Sequence, residues 1–409
     1  MRRIPLPLPL PLPRRLAILA LAPLLALSAT AATAQGVWVT VPNMPTARSF
    51  LATASAHCPE GLRGKCVYAV GGQVGSDAPI AVNKFEAYSP AAGTWATLPP
   101  LKTARTNLAA TTAPCPDGVK GDCVYAIGGS TLTGSPLTTV EAYSTETNAW
   151  LTLRSMPTRR QLLAAATAPC PDGLGLRGTC VYAFGGADAA TLNTVEAYSP
   201  ATDTWATLPT LQTARNGHGG AAAPCPGALG LRGTCVYAIS GSGDLTSVEV
   251  YSPVLNAWQY AAEIPTPRNN FGTAAAPCPD GLSDGCVYTV GGGTFVEDLI
   301  VVEAYTPVTN AWVTLPTLPT GRFGLSSAAA HCPKNKHRDC VYAVGGFAGA
   351  PTGITETFAI EPGPAAPSKP KPKPKPEQKP DTKPSGPPAE GGAQEPDWSK
   401  APEADPAAR

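Results

Sequence analysis

"CVYAVGGQVGSDAPIAVNKFEAYSPAAGTWATLPPLKTAR", residues 66–105, contains three short β-type segments in succession. The first is apolar and ends in a glycine pair, which suits a tight exit from a buried strand. The second, around Glu86, alternates in polarity and stops at a turn, and the third carries Trp95. A run of small residues follows Arg105 and predicts a further strand, at a crowded axis where several sheets converge. The stretch therefore defines a unit of four short strands.

This unit occurs six times along the chain. Tryptophan stands at positions 38, 95, 150, 205, 258 and 312, arginine follows ten residues later each time, and the tryptophans are 53 to 57 residues apart. Four-stranded units at this period indicate an all-β, six-bladed β-propeller.

The two ends of the repeated region each lack part of a unit. The segment "VWVTV", residues 37–41, has the character of a fourth strand with no first three before it. The segment "ITETFAIEP", residues 354–362, ends the last unit without a fourth strand. We expect residues 37–41 to pair antiparallel with residues 354–360, so that the N-terminal strand closes the last blade. Such closure leaves no open sheet edge.

The twelve cysteines fall into six pairs, eight or ten positions apart, each at a hairpin tip. The spacing does not fit the C-x₂₋₄-C of zinc ribbons, and each pair lacks two further ligands nearby. We predict disulfides, each stabilising the fold by roughly 2–3 kcal/mol on the chain-entropy model. The predicted bridges are Cys58–Cys66, Cys115–Cys123, Cys170–Cys180, Cys225–Cys235, Cys278–Cys286 and Cys332–Cys340.

Residues 1–34 have the pattern of a secretory signal peptide. Two arginine pairs precede a short apolar run, and Ala32-Thr33-Ala34 forms an A-x-A cleavage site. The apolar run is too short for a membrane anchor, and the second arginine pair leaves a twin-arginine signal open. We expect a secreted protein without a lipid anchor or transmembrane segment, extracellular or periplasmic in a bacterium, where disulfides persist.

The composition changes at residue 362. We expect residues 35–361 to form the propeller and residues 362–409 to form a disordered tail, because this Pro- and Lys-rich segment has almost no apolar residues. The tail is either a solvated extension or an electrostatic tether to an anionic cell envelope. The lysines that would serve the tether are Lys369, Lys371, Lys373 and Lys375.

The order Gly-Gly, Glu-x-Tyr, Trp and Pro-x-x-Arg resembles the kelch repeat, and the resemblance covers residues 36 to about 361. Ser240-Gly241 replaces Gly-Gly in the fourth unit, Phe358 replaces Tyr in the sixth, and the cysteine-bridged hairpin is an addition. The resemblance implies a kelch-type propeller that binds partner proteins through its loops.

The repetition separates scaffold from site, because a residue present in every unit serves the blade. The repeated Trp, Tyr and Glu residues are therefore expected to be structural. The arginines begin the innermost strands, so they either bond to carbonyls and the glutamates or form an anion-binding ring at the mouth of the channel. We keep all six as candidate ligand-binding residues: Arg48, Arg105, Arg160, Arg215, Arg268 and Arg322.

The residues just after the arginines vary between units and form the second part of the candidate site. Those chosen are Asn107, Asn216, His218, Asn269, Asn270, Phe271 and Phe323. The loops after Gly-Gly should share this face, because first and third strands run the same way. These loops carry Asp77, Asp188, Asp244, Phe295, Glu297, Asp298 and Phe347.

These features favour a secreted module that binds a protein or a glycan at the mouth that carries the arginines. The alternative is a carbohydrate-active enzyme, an epimerase, oxidase or hydrolase, that uses loop carboxylates and His218. A structural envelope protein whose tail is the active part is a third possibility. We expect no catalytic residue, metal or cofactor: the cysteines are all paired and the four histidines are scattered. A net charge of +1 gives no reason to expect a nucleic-acid partner.

Overall fold

The computed structural model describes residues 36–131, 133–243, 245–279, 285–294 and 296–360. The predicted signal peptide and tail lie outside these residues. The described chain forms six antiparallel sheets of four strands each, numbered here as blades 1 to 6 in chain order. Innermost strands of adjacent blades contact one another around the ring, and blade 6 contacts blade 1. The prediction of a six-bladed β-propeller is confirmed.

Each blade is built from the strands that the repeat predicts. The innermost strands are Ala52–His57, Ala109–Pro114, Ala164–Pro169, Gly219–Pro224, Gly272–Ala276 and Ser326–Cys332. The second strands are Lys65–Val70, Asp122–Ile127, Thr179–Phe184, Thr234–Ile239, Cys286–Val290 and Asn335–Val344. The third strands are Phe85–Ser89, Val140–Ser144, Val195–Ser199, Val248–Ser252, Val302–Thr306 and Thr355–Ala359. The outermost strands of blades 1 to 5 are Thr94–Thr97, Ala149–Thr152, Thr204–Leu208, Ala257–Ala261 and Ala311–Leu315.

The outermost strand of blade 6 is the N-terminal strand Trp38–Val41. It pairs antiparallel with Thr355–Ala359, and Trp38 lies opposite Phe358. The indole of Trp38 packs 5.5 Å from the Phe358 ring, and its Nε1 donates to the Pro316 carbonyl at 2.9 Å. The predicted closure is confirmed, and blade 6 therefore joins both ends of the propeller.

The hydrophobic core is divided among the interfaces between blades. Between blades 1 and 2, the Phe85 ring packs 4.7 Å from Tyr143 and 4.8 Å from Trp150. The Trp150 indole also donates to the Pro99 carbonyl, at 2.8 Å. The six repeated tryptophans all make such a bond to a connector between blades, which confirms their structural role.

All six predicted disulfides are present, with Cα–Cα distances of 4.8–4.9 Å, and no cysteine is free. They lie where the first and second strands of a blade meet, at the end of the propeller opposite the arginines. We call this end the hairpin face and the other the mouth face. No helix in the described part of the chain is long and apolar enough to cross a bilayer.

Candidate functional site

The six repeated arginines are buried, each with 0–1% of its surface exposed. Each guanidinium donates to the glutamate of the third strand in its own blade. In blade 4, Arg215 also donates to the carbonyls of Ser240 and Ser247, at 2.9 and 3.0 Å. The arginine thus links the start of the first strand to the end of the second strand and the start of the third. The glutamates are structural acceptors, as expected.

The burial of the arginines distinguishes the two alternatives: they bond to carbonyls and to the glutamates, and the alternative of an anion-binding ring at the mouth is wrong. A long side chain at the start of a strand points either outward or into its own blade, and here it points inward. Burial lowers the pKa of Arg268 to about 10, while the carboxylate of Glu303 opposes the shift. The guanidinium is therefore charged at neutral pH, but its charge is satisfied inside the blade.

The residues two positions after the arginines form a ring of backbone hydrogen bonds around the propeller axis. Each amide donates to the carbonyl of the equivalent residue in the preceding blade, over 2.7–3.0 Å, and the last bond runs from Phe50 to Gly324. All six residues have a left-handed backbone, with φ between 51° and 59°. We call this set the axial ring: Phe50, Asn107, Leu162, Gly217, Asn270 and Gly324.

The axial ring narrows the channel at the mouth face. The space that it borders has a volume of about 130 Å³ and is lined deeper in the channel by small residues of the innermost strands, such as Ala109 and Ser326. This volume is well below the 300–1,000 Å³ of ordinary ligand pockets. A ligand on this face would therefore sit on the surface around the ring, not inside the channel.

A surface cavity of about 270 Å³ lies beside the axial ring, over blades 5 and 6. It brings together five residues named from the sequence, which are Asn269, Asn270, Glu297, Asp298 and Phe323. The side-chain Nδ2 of Asn270 donates to the side-chain Oδ1 of Asn269 at 2.8 Å, and this bond orients both side chains. We call this cavity the mouth pocket; its lining residues are Asn269, Asn270, Gly293, Thr294, Val296, Glu297, Asp298 and Phe323.

An aromatic cluster continues the mouth pocket toward blade 1. The Phe323 ring lies 5.3 Å from Phe347 and 5.7 Å from Phe50, and all three side chains are partly exposed. On the other side of the pocket, Glu297 and Asp298 are exposed carboxylates, and partial burial raises the pKa of Asp298. Amides, carboxylates and an aromatic face are therefore available to one ligand.

Two predicted site residues are not on the mouth surface. His218 and Phe271 occupy the third position after an arginine, which in the other four blades is a buried leucine: Leu51, Leu108, Leu163 and Leu325. Their side chains are therefore buried and border the narrow space inside the axial ring, so neither is on the mouth surface where a ligand was expected.

His218 is buried in apolar surroundings and has no hydrogen bond to either ring nitrogen. Its ring lies 5.5 Å from that of Phe184. Burial, together with the charges of Arg215 and Arg160, lowers the pKa of His218 well below its usual value. The imidazole is neutral and enclosed, so it is not placed to act as a base on a substrate.

The remaining predicted residues are spread around the mouth face. Asn216 bonds to Thr191 and Ser242, both at 2.8 Å, away from the mouth pocket. Asn107 belongs to the axial ring, and its buried Oδ1 has no partner. Of the loop residues, Asp188 pairs with Arg159 at 2.9 Å, whereas Asp244 and Phe295 lie outside the described residues. Thr294 and Val296 line the mouth pocket but were not predicted, since neither residue type signals a site.

Comparison with known proteins finds that this chain is similar to proteins with kelch repeats. The Kelch motif model matches residues 63–102, 112–157, 174–212 and 276–319. Kelch-like protein 36 of Rattus norvegicus is 25% identical over 303 residues, which are 71% of this chain and 43% of the relative. Kelch repeat and BTB domain-containing protein 13 of Homo sapiens is 30% identical over 210 residues, 49% of this chain and 38% of the relative.

A third relative, Kelch-like ECH-associated protein 1B of Danio rerio, is 32% identical over 112 residues, 27% of this chain and 18% of the relative. The chain thus spans less than half the length of these relatives. They are vertebrate proteins, and they give no support to the expected bacterial source.

Proposed function

Because this chain is a kelch-repeat β-propeller, we propose that it is a binding module that holds a glycan on its mouth face. The observation that carries the proposal is the mouth pocket, where two oriented amides, two carboxylates and the Phe323 ring converge. Its volume of about 270 Å³ is just below the 300–1,000 Å³ of ordinary ligand pockets and suits one sugar ring.

The chemistry of the pocket matches that of a sugar. Asn269 and Asn270 present both donors and acceptors, and Glu297 and Asp298 accept hydrogen bonds from hydroxyl groups. The apolar face of a sugar ring packs well on an aromatic side chain such as Phe323, which offers a rigid surface. A protein partner that contacts the same surface is the other outcome, since kelch propellers bind proteins.

The enzymatic alternative is weaker than the binding function. It relied on loop carboxylates together with His218; Glu297 and Asp298 line the mouth pocket, but the imidazole of His218 is enclosed between blades. The described residues contain no group of three or more His, Cys, Asp or Glu side chains arranged to hold a metal ion. We therefore assign no reaction to the mouth pocket.

The proposed place of action is outside the cytosol. Six disulfides persist in an oxidising compartment, and this supports secretion. The signal peptide at residues 1–34 and the tether role of the tail remain predictions, because both segments lie outside the described residues.

A glycan array probed with the oxidised full chain tests the function. The array is run beside Asn269→Ala/Phe323→Ala and beside Asn216→Ala, an asparagine control on the mouth face away from the pocket. We expect selective binding that falls at least tenfold in the double variant and stays within twofold in the control. Binding that survives in the double variant, or no binding at all, would reject a glycan in this pocket. A pull-down from the secreted proteome then tests a protein partner.

A further inference from the structure

The hairpin face carries its densest basic surface over the neighbouring blades 6 and 1. Hairpin residues 59–65 and 333–339 hold five Lys and Arg side chains and two acidic ones. The hairpins of blades 2 and 3 together hold two basic and three acidic residues, that of blade 4 has one arginine and no acid, and that of blade 5 has two aspartates and no basic residue. The positive charge is therefore concentrated on two neighbouring blades, in a chain whose net charge is only +1.

The lysines of this surface are free to meet a ligand. Lys65, Lys334 and Lys336 are exposed, and among the described residues none of them forms an ion pair. The nearest acid of blade 6, Asp339, is paired with His331 at 3.1 Å. Three unpaired ammonium groups thus lie together on one face.

A cavity of about 420 Å³ lies between these lysines. Its wall also includes Pro90 and Ala91 of blade 1, which provide an apolar surface beside the charges. The cavity is in the size range of ligand pockets. We call it the basic cavity; its lining residues are Gly64, Lys65, Pro90, Ala91, His331, Cys332, Lys334, Asn335, Lys336 and His337.

A second groove extends the basic cavity along the closure between blades 6 and 1. It has a volume of about 660 Å³ and shares Lys334 and Asn335 with the cavity. The apolar side chains of Val39 and Val41, from the N-terminal strand, form part of its wall. Together the two depressions form an elongated site, which fits a chain-like ligand better than a single small molecule.

We propose that the basic cavity and its groove bind a sulfated polysaccharide. Lysine is a compact point charge without the planar fork of arginine, so it suits sulfates at varied positions along a polymer. The apolar walls suit the faces of sugar rings, which an acidic peptide lacks. This site is on the face opposite the mouth pocket and is independent of it.

Fluorescently labelled dextran sulfate tests the proposal by anisotropy with the oxidised full chain. The site variant is Lys65→Ala/Lys334→Ala/Lys336→Ala. The matched control is Lys120→Ala/Arg177→Ala/Arg232→Ala, which removes the same charge from the hairpins of blades 2, 3 and 4. We expect the site variant to lose at least tenfold in affinity and the control less than twofold. Raising the salt concentration should weaken binding by the wild-type chain, because exposed charges are screened.

The comparison of probes decides the class of ligand. Unsulfated dextran should not bind, and poly-glutamate of matched charge should bind at least tenfold more weakly than dextran sulfate.

Equal loss in the site and control variants would overturn the site, because binding would then follow net charge. Unchanged binding in the site variant would also overturn it and would point to cations elsewhere in the chain. Equal affinity for poly-glutamate would reject a polysaccharide in favour of an acidic peptide. Asn269→Ala/Phe323→Ala should leave dextran sulfate binding unchanged, which separates this site from the mouth pocket.

Discussion

Arg215 donates to the carboxylate of Glu249 over 2.6 Å, and neither side chain is exposed to solvent. The backbone amides of Gln212 and Thr213 donate to the same carboxylate, at 2.7 and 3.0 Å. One ion pair therefore joins the connector, the first strand and the third strand of blade 4. An Arg–Glu ion pair of this kind in every blade explains why arginine and glutamate repeat in register with tryptophan.

Glu249→Gln should strongly destabilise the protein, because it leaves the Arg215 charge buried without a counter-charge. Breaking a buried pair in this way costs about 3–5 kcal/mol. The exposed pair Arg159–Asp188, at 2.9 Å, offers a control, and Asp188→Asn should cost less than about 1 kcal/mol. Urea denaturation measures both. A similar small cost for the two variants would mean that the buried pair is not needed to hold the blade together.

His218→Leu should stabilise the protein, and more so in acid. The folded state keeps His218 neutral because its pKa is lowered, whereas the unfolded chain takes up a proton below about pH 6.5. Stability is thus lost as the pH falls below that value, by up to about 1.4 kcal/mol per pH unit for one proton. Denaturation from pH 7 to pH 5 should show the advantage of the variant growing. An equal slope for His218→Leu and wild type would contradict the assignment.

Leu162→Asn should stabilise the protein by up to about 1 kcal/mol. Leu162 has φ of 53° in the axial ring, and a left-handed backbone costs roughly 1–2 kcal/mol for most residues but less for asparagine. Gly217→Val should act in the opposite direction, because φ is 58° and a Cβ there would lie 2.9 Å from the Asn270 side chain. Thermal unfolding compares the two. Stabilisation by valine at 217 would show that the axial ring does not constrain the backbone.

Trp38→Ala should cost about 3–5 kcal/mol, because it empties a buried site in the strand that closes the ring. Val39→Ala is the control in the same strand, since Val39 is 53% exposed, and it should change stability by less than about 0.5 kcal/mol. Chemical denaturation measures both. If the two variants unfold alike, pairing of the N-terminal strand is not what holds blade 6 closed.

The fold was predictable because the residues that define a blade occur in all six units of the repeat. Trp150 and its equivalents mark every outermost strand, and the cysteine pairs mark every hairpin, so one unclear unit is corrected by five others. The missing fourth strand of the last unit likewise predicted that residues 37–41 pair with residues 354–360, and the structure places Trp38 opposite Phe358. Ser240, which replaces a glycine in blade 4, still adopts φ of 55°, and its hydroxyl donates to the Arg268 carbonyl.

The site was only partly predictable, because the direction of a side chain depends on its position relative to the arginine of its unit. Asn269, one residue after its arginine, lines the mouth pocket, and Asn270 joins the axial ring. His218 stands three residues after its arginine, a position that is leucine in four of the other units. Aligning the six units would therefore have indicated that His218 is buried. The repetition of arginine and glutamate in every unit agrees with an arginine that points into the blade, but it does not by itself give the direction of the side chain. That choice is made by the glutamate two strands away.

The closure of blade 6 by the N-terminal strand has a consequence for the order of folding during synthesis. Trp38 is the first of the strand residues to be made, yet its partner Phe358 follows 320 positions later in the chain. Each disulfide spans only eight or ten positions, so a hairpin can be crosslinked as soon as its own blade emerges. The N-terminal strand must instead wait, unpaired, until five whole blades and most of the sixth have been translated. Local crosslinks formed early would hold those blades in a compact form throughout the interval when the ring is still open.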